Sequence, residues 1–272
     1  MSANVNITEK KYKKLVLRVG LNGFSFCGID TLDNSVLFVK EVDFSKFPRT
    51  SKVEDHYWKA FVDNNELTKN YDEVVVIHDS NLNTFVPSAL FNKEFLGSYL
   101  QYNTKVFETD FFDYDEILNY EMINVYIPYV NINNFLIDQF GTFIYKNINT
   151  SLVTKLLDSS RNIEDEQVFA HFSKNRFEIV AIRYQKLMLF NSFDYSTKED
   201  FIYYLLFTAE QLSMNPESFK LCLLGDISEE SEIFKMAYKY VRNVSVMDVS
   251  NLQQTNGLSK AENQKHYLLL QS

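Results

Sequence analysis

The chain has 272 residues, of which 46% are hydrophobic and 23% charged, so it is long for one ordinary domain and carries enough apolar surface for a sizeable core. With only 7 glycines and 4 prolines, it does not have the composition of a disordered chain. A formal charge of -9 disfavours nucleic acid, whose binding depends on several Lys or Arg contacts to phosphate.

In chain order, Met1 to Lys14 is polar and has no apolar segment of the secretory type, and nowhere does a run approach the length of a spanning helix. No membrane insertion and a cytoplasmic location are therefore expected. The basic cluster Lys10, Lys11, Lys13 and Lys14 reads as a solvated strand edge that discourages pairing. Leu15 to Gly20 and Phe24 to Asp30 flank the turn Leu21-Asn22-Gly23 as a hairpin, and Val36 to Phe44 is a third strand. Val53 to Leu67 has helical spacing, and Val74-Val75-Val76-Ile77 is the continuous apolar run of a strand buried on both faces. After further material over roughly 81–128, which includes a strand-like Met122 to Ile127, come a helix over Asn131 to Phe140 and a strand over Thr142 to Tyr145.

The second half repeats this order. Gln167 to Phe172 and Arg176 to Arg183 form a hairpin, Leu187 to Tyr195 a third strand, Lys198 to Ser213 a helix, and Phe219 to Leu224 a buried strand. Ser231 to Tyr240 and Val244 to Asp248 supply the last helix and strand. An ungapped shift of 151 residues places Phe26 on Phe177, Ile29 on Val180 and Asp43 on Asp194, so the echo Val42-Asp43-Phe44-Ser45 and Phe193-Asp194-Tyr195-Ser196 falls in register. The expected organisation is an α/β chain of two similar lobes with mixed five-stranded sheets and helices. The first lobe covers 1–158 with an insertion at about 81–128, and the second covers 159–272 including a C-terminal segment.

Two copies of hairpin, strand, helix, strand, helix and strand resemble the ribonuclease-H-like lobes of the actin-like ATPase superfamily. More narrowly, the chain resembles an uncharacterised Bacteroidota family of unknown function with a degenerate actin-like ATPase fold. The residues carrying that resemblance are Thr84-Phe85-Val86-Pro87 with Leu90-Phe91, Val125-Tyr126-Ile127-Pro128 ahead of a helix closing on Phe140-Gly141, and Leu223-Leu224-Gly225-Asp226. Active superfamily members place an Asp-x-Gly turn in each hairpin, where carboxylates hold Mg²⁺ and glycines admit phosphate to the backbone. The matching stretches here are Arg18-Val19-Gly20 or Leu21-Asn22-Gly23 in the first lobe and His171 to Asn175 in the second, and none offers an acid. The resemblance leaves Gly225 and Asp226 as a vestigial nucleotide-binding position, against the plainer reading of a strand-to-helix turn.

Other chemistries find little support. Cys27 and Cys222 lack the spacing of zinc ligands and lie in apolar runs as buried thiols. No two of His56, His78, His171 and His266 stand at ligand spacing, so no metal site and no cofactor are expected. His78-Asp79, at the end of a buried strand, is the one pair to inspect for catalysis, with a hydrogen-bonded structural histidine as the plainer reading. Within the insertion, Phe107 to Glu116 mixes five acids with four aromatics, and Phe111, Phe112 and Tyr114 are candidates for a partner-binding patch; equally, they could cover their own lobe. The expectation is a non-catalytic scaffold or adaptor that binds another protein, with self-association open. Two alternatives are a nucleotide-binding switch with little or no ATPase activity and a small-molecule enzyme using the inter-lobe cleft.

Overall fold

The computed structural model describes residues 10–47 and 51–272; the polar start of the chain before Lys10 lies outside them. It divides into two compact units, one reaching to His78 and resuming over Tyr129–Tyr145, the other made of Asp79–Pro128 and Lys146–Gln271. Compactness therefore groups the inserted segment with the second half, although the chain enters it from the first sheet.

In the first unit, strands β1 (Lys13–Gly20), β2 (Gly23–Asp30) and β3 (Val36–Asp43) lead through helix α1 (Val53–Asp63) to β4 (Glu73–His78). The inserted segment follows with β5 (Asn83–Pro87), α2 (Leu96–Leu100), β6 (Asp113–Ile117) and β7 (Met122–Tyr126). The chain then returns through α3 (Val130–Phe140) and β8 (Ile144–Asn147), completing a sheet of order β3-β2-β1-β4-β8. After α4 (Ile148–Ser159), strands β9 (Gln167–Phe172), β10 (Arg176–Arg183) and β11 (Lys186–Asp194) precede α5 (Lys198–Gln211) and β12 (Lys220–Gly225). Helix α6 (Glu232–Tyr240) and strand β13 (Asn243–Val246) complete a second sheet, β11-β10-β9-β12-β13. Three short helices, α7 (Ser250–Asn256), α8 (Lys260–Lys265) and α9 (Tyr267–Leu270), close the chain.

The physical basis of each sheet is visible in its sequence. Val74 to Ile77 are all buried because β4 lies inside its sheet, and on one face of that sheet Leu15, Leu17, Phe24 and Phe26 pack with Tyr57, Phe61, Ile132 and Leu136 of α1 and α3. The second sheet repeats the arrangement, with Phe172, Phe177 and Leu221 against Phe201, Leu205 and Ala237 of α5 and α6. Helix α5 begins with a reciprocal cap: Thr197 accepts from the Asp200 amide, while the Asp200 carboxylate accepts from the Thr197 amide.

The repeat is geometric, with one correction to the ungapped overlay. Asp43 does correspond to Asp194, since the Phe44 N–H donates to the Asn22 carbonyl at 3.0 Å and the Tyr195 N–H to the Asn175 carbonyl at 3.1 Å. The β2–β3 register shifts between Gly28 and Ile29, and the β10–β11 register between Ala181 and Ile182. Matching these irregularities carries β2 onto β10 with a shift of 153, so Phe177 corresponds to Phe24 rather than Phe26. The two-residue difference arises because Asp30 meets Ser35 across four residues, 31–34, whereas Arg183 meets Lys186 across only two, Tyr184 and Gln185. Both of those have positive φ (50° and 61°), the two-residue turn that matches strand twist. A second correction concerns the lysine cluster: β1 pairs with β2 on one side and β4 on the other, so Lys13 and Lys14 start a central strand, with Lys14 3.1 Å from Glu73.

Candidate functional site

The hairpin tips are the places where an actin-like chain would meet phosphate. At the first tip the Tyr57 hydroxyl, on a side chain with no solvent exposure, donates to the Gly20 carbonyl at 2.9 Å and accepts from the Gly20 N–H at 3.0 Å. The backbone amide of that turn is thus satisfied from within the unit. At the second tip, the Ser173 N–H donates to the Arg176 carbonyl at 2.8 Å, closing a tight turn over Lys174 and Asn175.

Behind the second tip lies a buried ionic network. The Arg176 guanidinium donates through Nε to Glu178 Oε1 at 2.5 Å and through Nη2 to Asp79 Oδ1 at 2.6 Å. His171 Nδ1 stands 2.8 Å from Glu178 Oε2, directly across the β9–β10 ladder, and the Ser192 hydroxyl donates to Glu178 Oε1 at 3.2 Å. Glu178 has no solvent exposure. Burial alone would push its carboxyl up, but Arg176 and the hydrogen-bonded His171 outweigh it and hold Glu178 at about 2. Burial likewise opposes the Arg176 charge, and the two carboxylates overcome it, raising its pKa.

His78 and Asp79 bond to different partners. His78 is fully buried; its Nδ1 accepts from the Tyr129 N–H at 3.0 Å and its Nε2 lies 2.9 Å from Asn133 Oδ1, which fixes the neutral tautomer with hydrogen on Nε2. Asp79 pairs with Arg176. Among the described residues no group of three His, Cys, Asp or Glu side chains is arranged to hold a metal ion. Burial pushes the thiols of Cys27 and Cys222 up to about 12 and about 11, well above the reactive range.

Gly225 has φ +91, and a Cβ there would collide with the carbonyl oxygen of Phe172. The adjacent Asp226 N–H donates to that same oxygen at 3.0 Å, while the Asp226 side chain is exposed. The glycine is accounted for by the close approach of β12 to β9.

The inserted segment folds as a three-stranded sheet of order β5-β7-β6 with its own small core, Val86, Leu100, Ile123 and Val125. It separates the aromatic candidates. Phe112 and Tyr114 pack on that core, Tyr114 also meeting the Phe91 ring at 4.9 Å, whereas Phe111 is 55% exposed. Beneath them is a polar network around Asp115, whose carboxylate accepts from the Asn147 N–H at 2.8 Å, the Thr150 hydroxyl at 2.5 Å and the Tyr126 hydroxyl at 3.1 Å. Burial pushes Asp115 up to about 6, and these donors only partly offset it. Asn83, Asn124, Asn147 and Asn149 continue the network, which ties the insert to the start of α4.

Sequence reasoning missed Arg176, Glu178, Asp115 and Tyr57. A signal existed for the first two: charged residues two apart in an otherwise apolar strand must find partners if both are buried.

The two matching sheets and the repeated hairpin geometry define the actin-like ATPase fold, made of two ribonuclease-H-like lobes. Residues 2–244 match the model of a family described as protein of unknown function DUF3822, and the chain belongs to that family. Among solved structures, it is similar to a Bacteroides thetaiotaomicron protein with actin-like ATPase fold and unknown function, with TM-score 0.81 and 24% identity over 98% of this chain and 99% of that one. It is also similar to a chain of the PilM-PilN type IV pilus biogenesis complex, with TM-score 0.60 and 10% identity over 95% and 96% of the two chains. Among curated proteins no match is found. No helix among the described residues is long and apolar enough to cross a membrane.

Proposed function

We propose that the protein is a non-catalytic scaffold or adaptor that retains the actin-like architecture and binds another protein. The observation that carries this reading is the commitment of the acids nearest the second hairpin: Asp79 and Glu178 both pair with Arg176, so a guanidinium stands where a divalent cation would need carboxylates. Two features of the backbone support it. The Gly20 amide is bonded to Tyr57, and the open side of Gly225 faces Phe172, so these glycines offer a poor fit to magnesium-bound nucleotide. The occurrence of a similar fold in the PilM-PilN complex supports a role in protein assembly by analogy only. Following the repeat, we take 1–158 and 159–272 as the evolutionary halves, with 81–128 as a later insertion.

The test is reconstitution. Candidates cross-linked to the protein in its native cells are purified and mixed with it, and a partner co-eluting at fixed stoichiometry in the presence and absence of nucleotide is the expected result. Turnover of a small-molecule substrate with no stoichiometric partner would replace the scaffold reading with the enzyme alternative. Association only with Mg²⁺ and nucleotide present would favour the switch.

A further inference from the structure

Within the second compact unit, a groove of about 400 Å³ runs between two strand edges, β5 of the inserted sheet and β11 of the five-stranded sheet. Both are terminal strands of their sheets, and the hydrogen-bond phase shows which backbone groups face outward. The Ile127 N–H donates to the Leu82 carbonyl and the Ser88 N–H to the Glu121 carbonyl, so even-numbered residues of β5 turn toward β7, leaving Asn83 and Phe85 on the open edge. On β11, the Tyr195 N–H donates to the Asn175 carbonyl, so odd-numbered residues turn toward β10 and the backbones of Phe190 and Ser192 face outward. The Ser192 N–H is met by Asn191 Oδ1 at 2.9 Å, while the Phe190 N–H and carbonyl have no protein partner among the described residues. The rings of Phe85 and Phe190 meet at 4.9 Å beside these groups.

The chemistry of the lining selects the occupant. No charged side chain lines the groove, although the chain as a whole carries a formal charge of -9. A charged group entering it would lose water without gaining a counter-charge, whereas an uncharged chain could satisfy the exposed backbone and cover Leu187, Leu189 and Phe190. Of the two edges, β11 is the longer, and β5 ends in Pro87, which has no N–H to offer.

We propose that this groove binds an extended, uncharged segment of a partner protein, which adds as a strand to the free edge of β11 while β5 forms the opposite wall. The proposal deepens the scaffold reading and rests on it. A library of displayed nine-residue peptides is panned on the full chain, and enriched peptides are synthesised with and without backbone N-methyl groups at alternate positions. The expected result is enrichment of sequences lacking Asp, Glu, Lys and Arg over the central residues. Their binding should fall at least tenfold on N-methylation and at least tenfold against Phe190→Asp, and amide exchange at Phe190 should slow in the wild-type complex. Because the N-methyl comparison and the exchange measurement use wild-type protein, they decide the matter even where Phe190→Asp perturbs folding. Failure to enrich, indifference to N-methylation, or protection of Phe190 by self-association instead of by peptide would each overturn the assignment. If a reconstituted partner binds Phe190→Asp as tightly as wild type, the groove is wrong and the scaffold reading stands.

Discussion

Replacing Arg176 by Met removes the guanidinium from Glu178, a carboxylate with no solvent exposure, and leaves His171 and Ser192 as its remaining partners. Holding Glu178 at about 2, against 4.5 for an ordinary glutamate, corresponds to about 3 kcal/mol at roughly 1.4 kcal/mol per unit. Breaking a buried pair from one side typically costs ~3–5 kcal/mol, in line with that figure. The sign of the pH dependence follows. In the wild type, the contribution of Glu178 is present above 4.5 and is lost as pH falls through about 2. In Arg176→Met, burial raises the carboxyl, so the variant is penalised most at neutral pH and recovers as the pH falls. Urea unfolding followed by circular dichroism at pH 7 and pH 5 should show a deficit of ~3–5 kcal/mol that shrinks at the lower pH. The double variant Arg176→Met, Glu178→Met should be more stable than the sum of the single effects by about 2 kcal/mol, because the unpaired charge is gone. A deficit below ~1 kcal/mol that is flat with pH would mean that Glu178 does not depend on Arg176, and that its carboxylate is available to something else.

Three further outcomes are expected. Gly225→Ala should destabilise the protein by more than ~1 kcal/mol in the same assay, because the substitution meets both a positive φ and the Phe172 carbonyl. Phe111→Ser should leave the thermal midpoint nearly unchanged, whereas Phe112→Ser should lower it by an amount equivalent to ~2–4 kcal/mol, since only Phe112 packs on the insert's core. Asp115→Asn should cost less at neutral pH than in acid, because its amide nitrogen faces one of the donors at every pH whereas the wild-type carboxyl is favoured by burial only when protonated. Asp115 is raised to about 6, so its protonated form favours the fold. Wild-type stability from this group is highest below pH 3.8 and is lost on rising through about 6; Asp115→Asn should lack that dependence.

The repeated sheet was legible because its signal is local and periodic. Val74 to Ile77 could be placed as a strand buried on both faces before any partner was known. The hairpin register was not, because an ungapped overlay cannot reveal that residues 31–34 in one copy are replaced by Tyr184-Gln185 in the other. Helix α4 was not read, although Ile148, Leu152, Val153, Leu156 and Leu157 recur at helical spacing; its polar first turn, Asn149 to Ser151, resembles a loop in sequence yet is buried. Of the site, the missing acids could be read directly, but the pairing of Asp79 with Arg176 spans 97 positions and no local pattern encodes it. Phe111 and Phe112 are neighbours in sequence yet differ in burial, a difference the shared composition of the stretch conceals.

The central claim is that actin-like architecture persists here without magnesium-nucleotide chemistry. Thermal unfolding of the full chain with millimolar ATP or ADP and Mg²⁺, alongside phosphate release, tests it most directly. The account predicts an unchanged midpoint and no phosphate above the buffer control. A nucleotide-dependent stabilisation approaching ~2.7 kcal/mol, the value for ligand at 100 times its Kd, would contradict it, as would turnover abolished by Asp226→Asn.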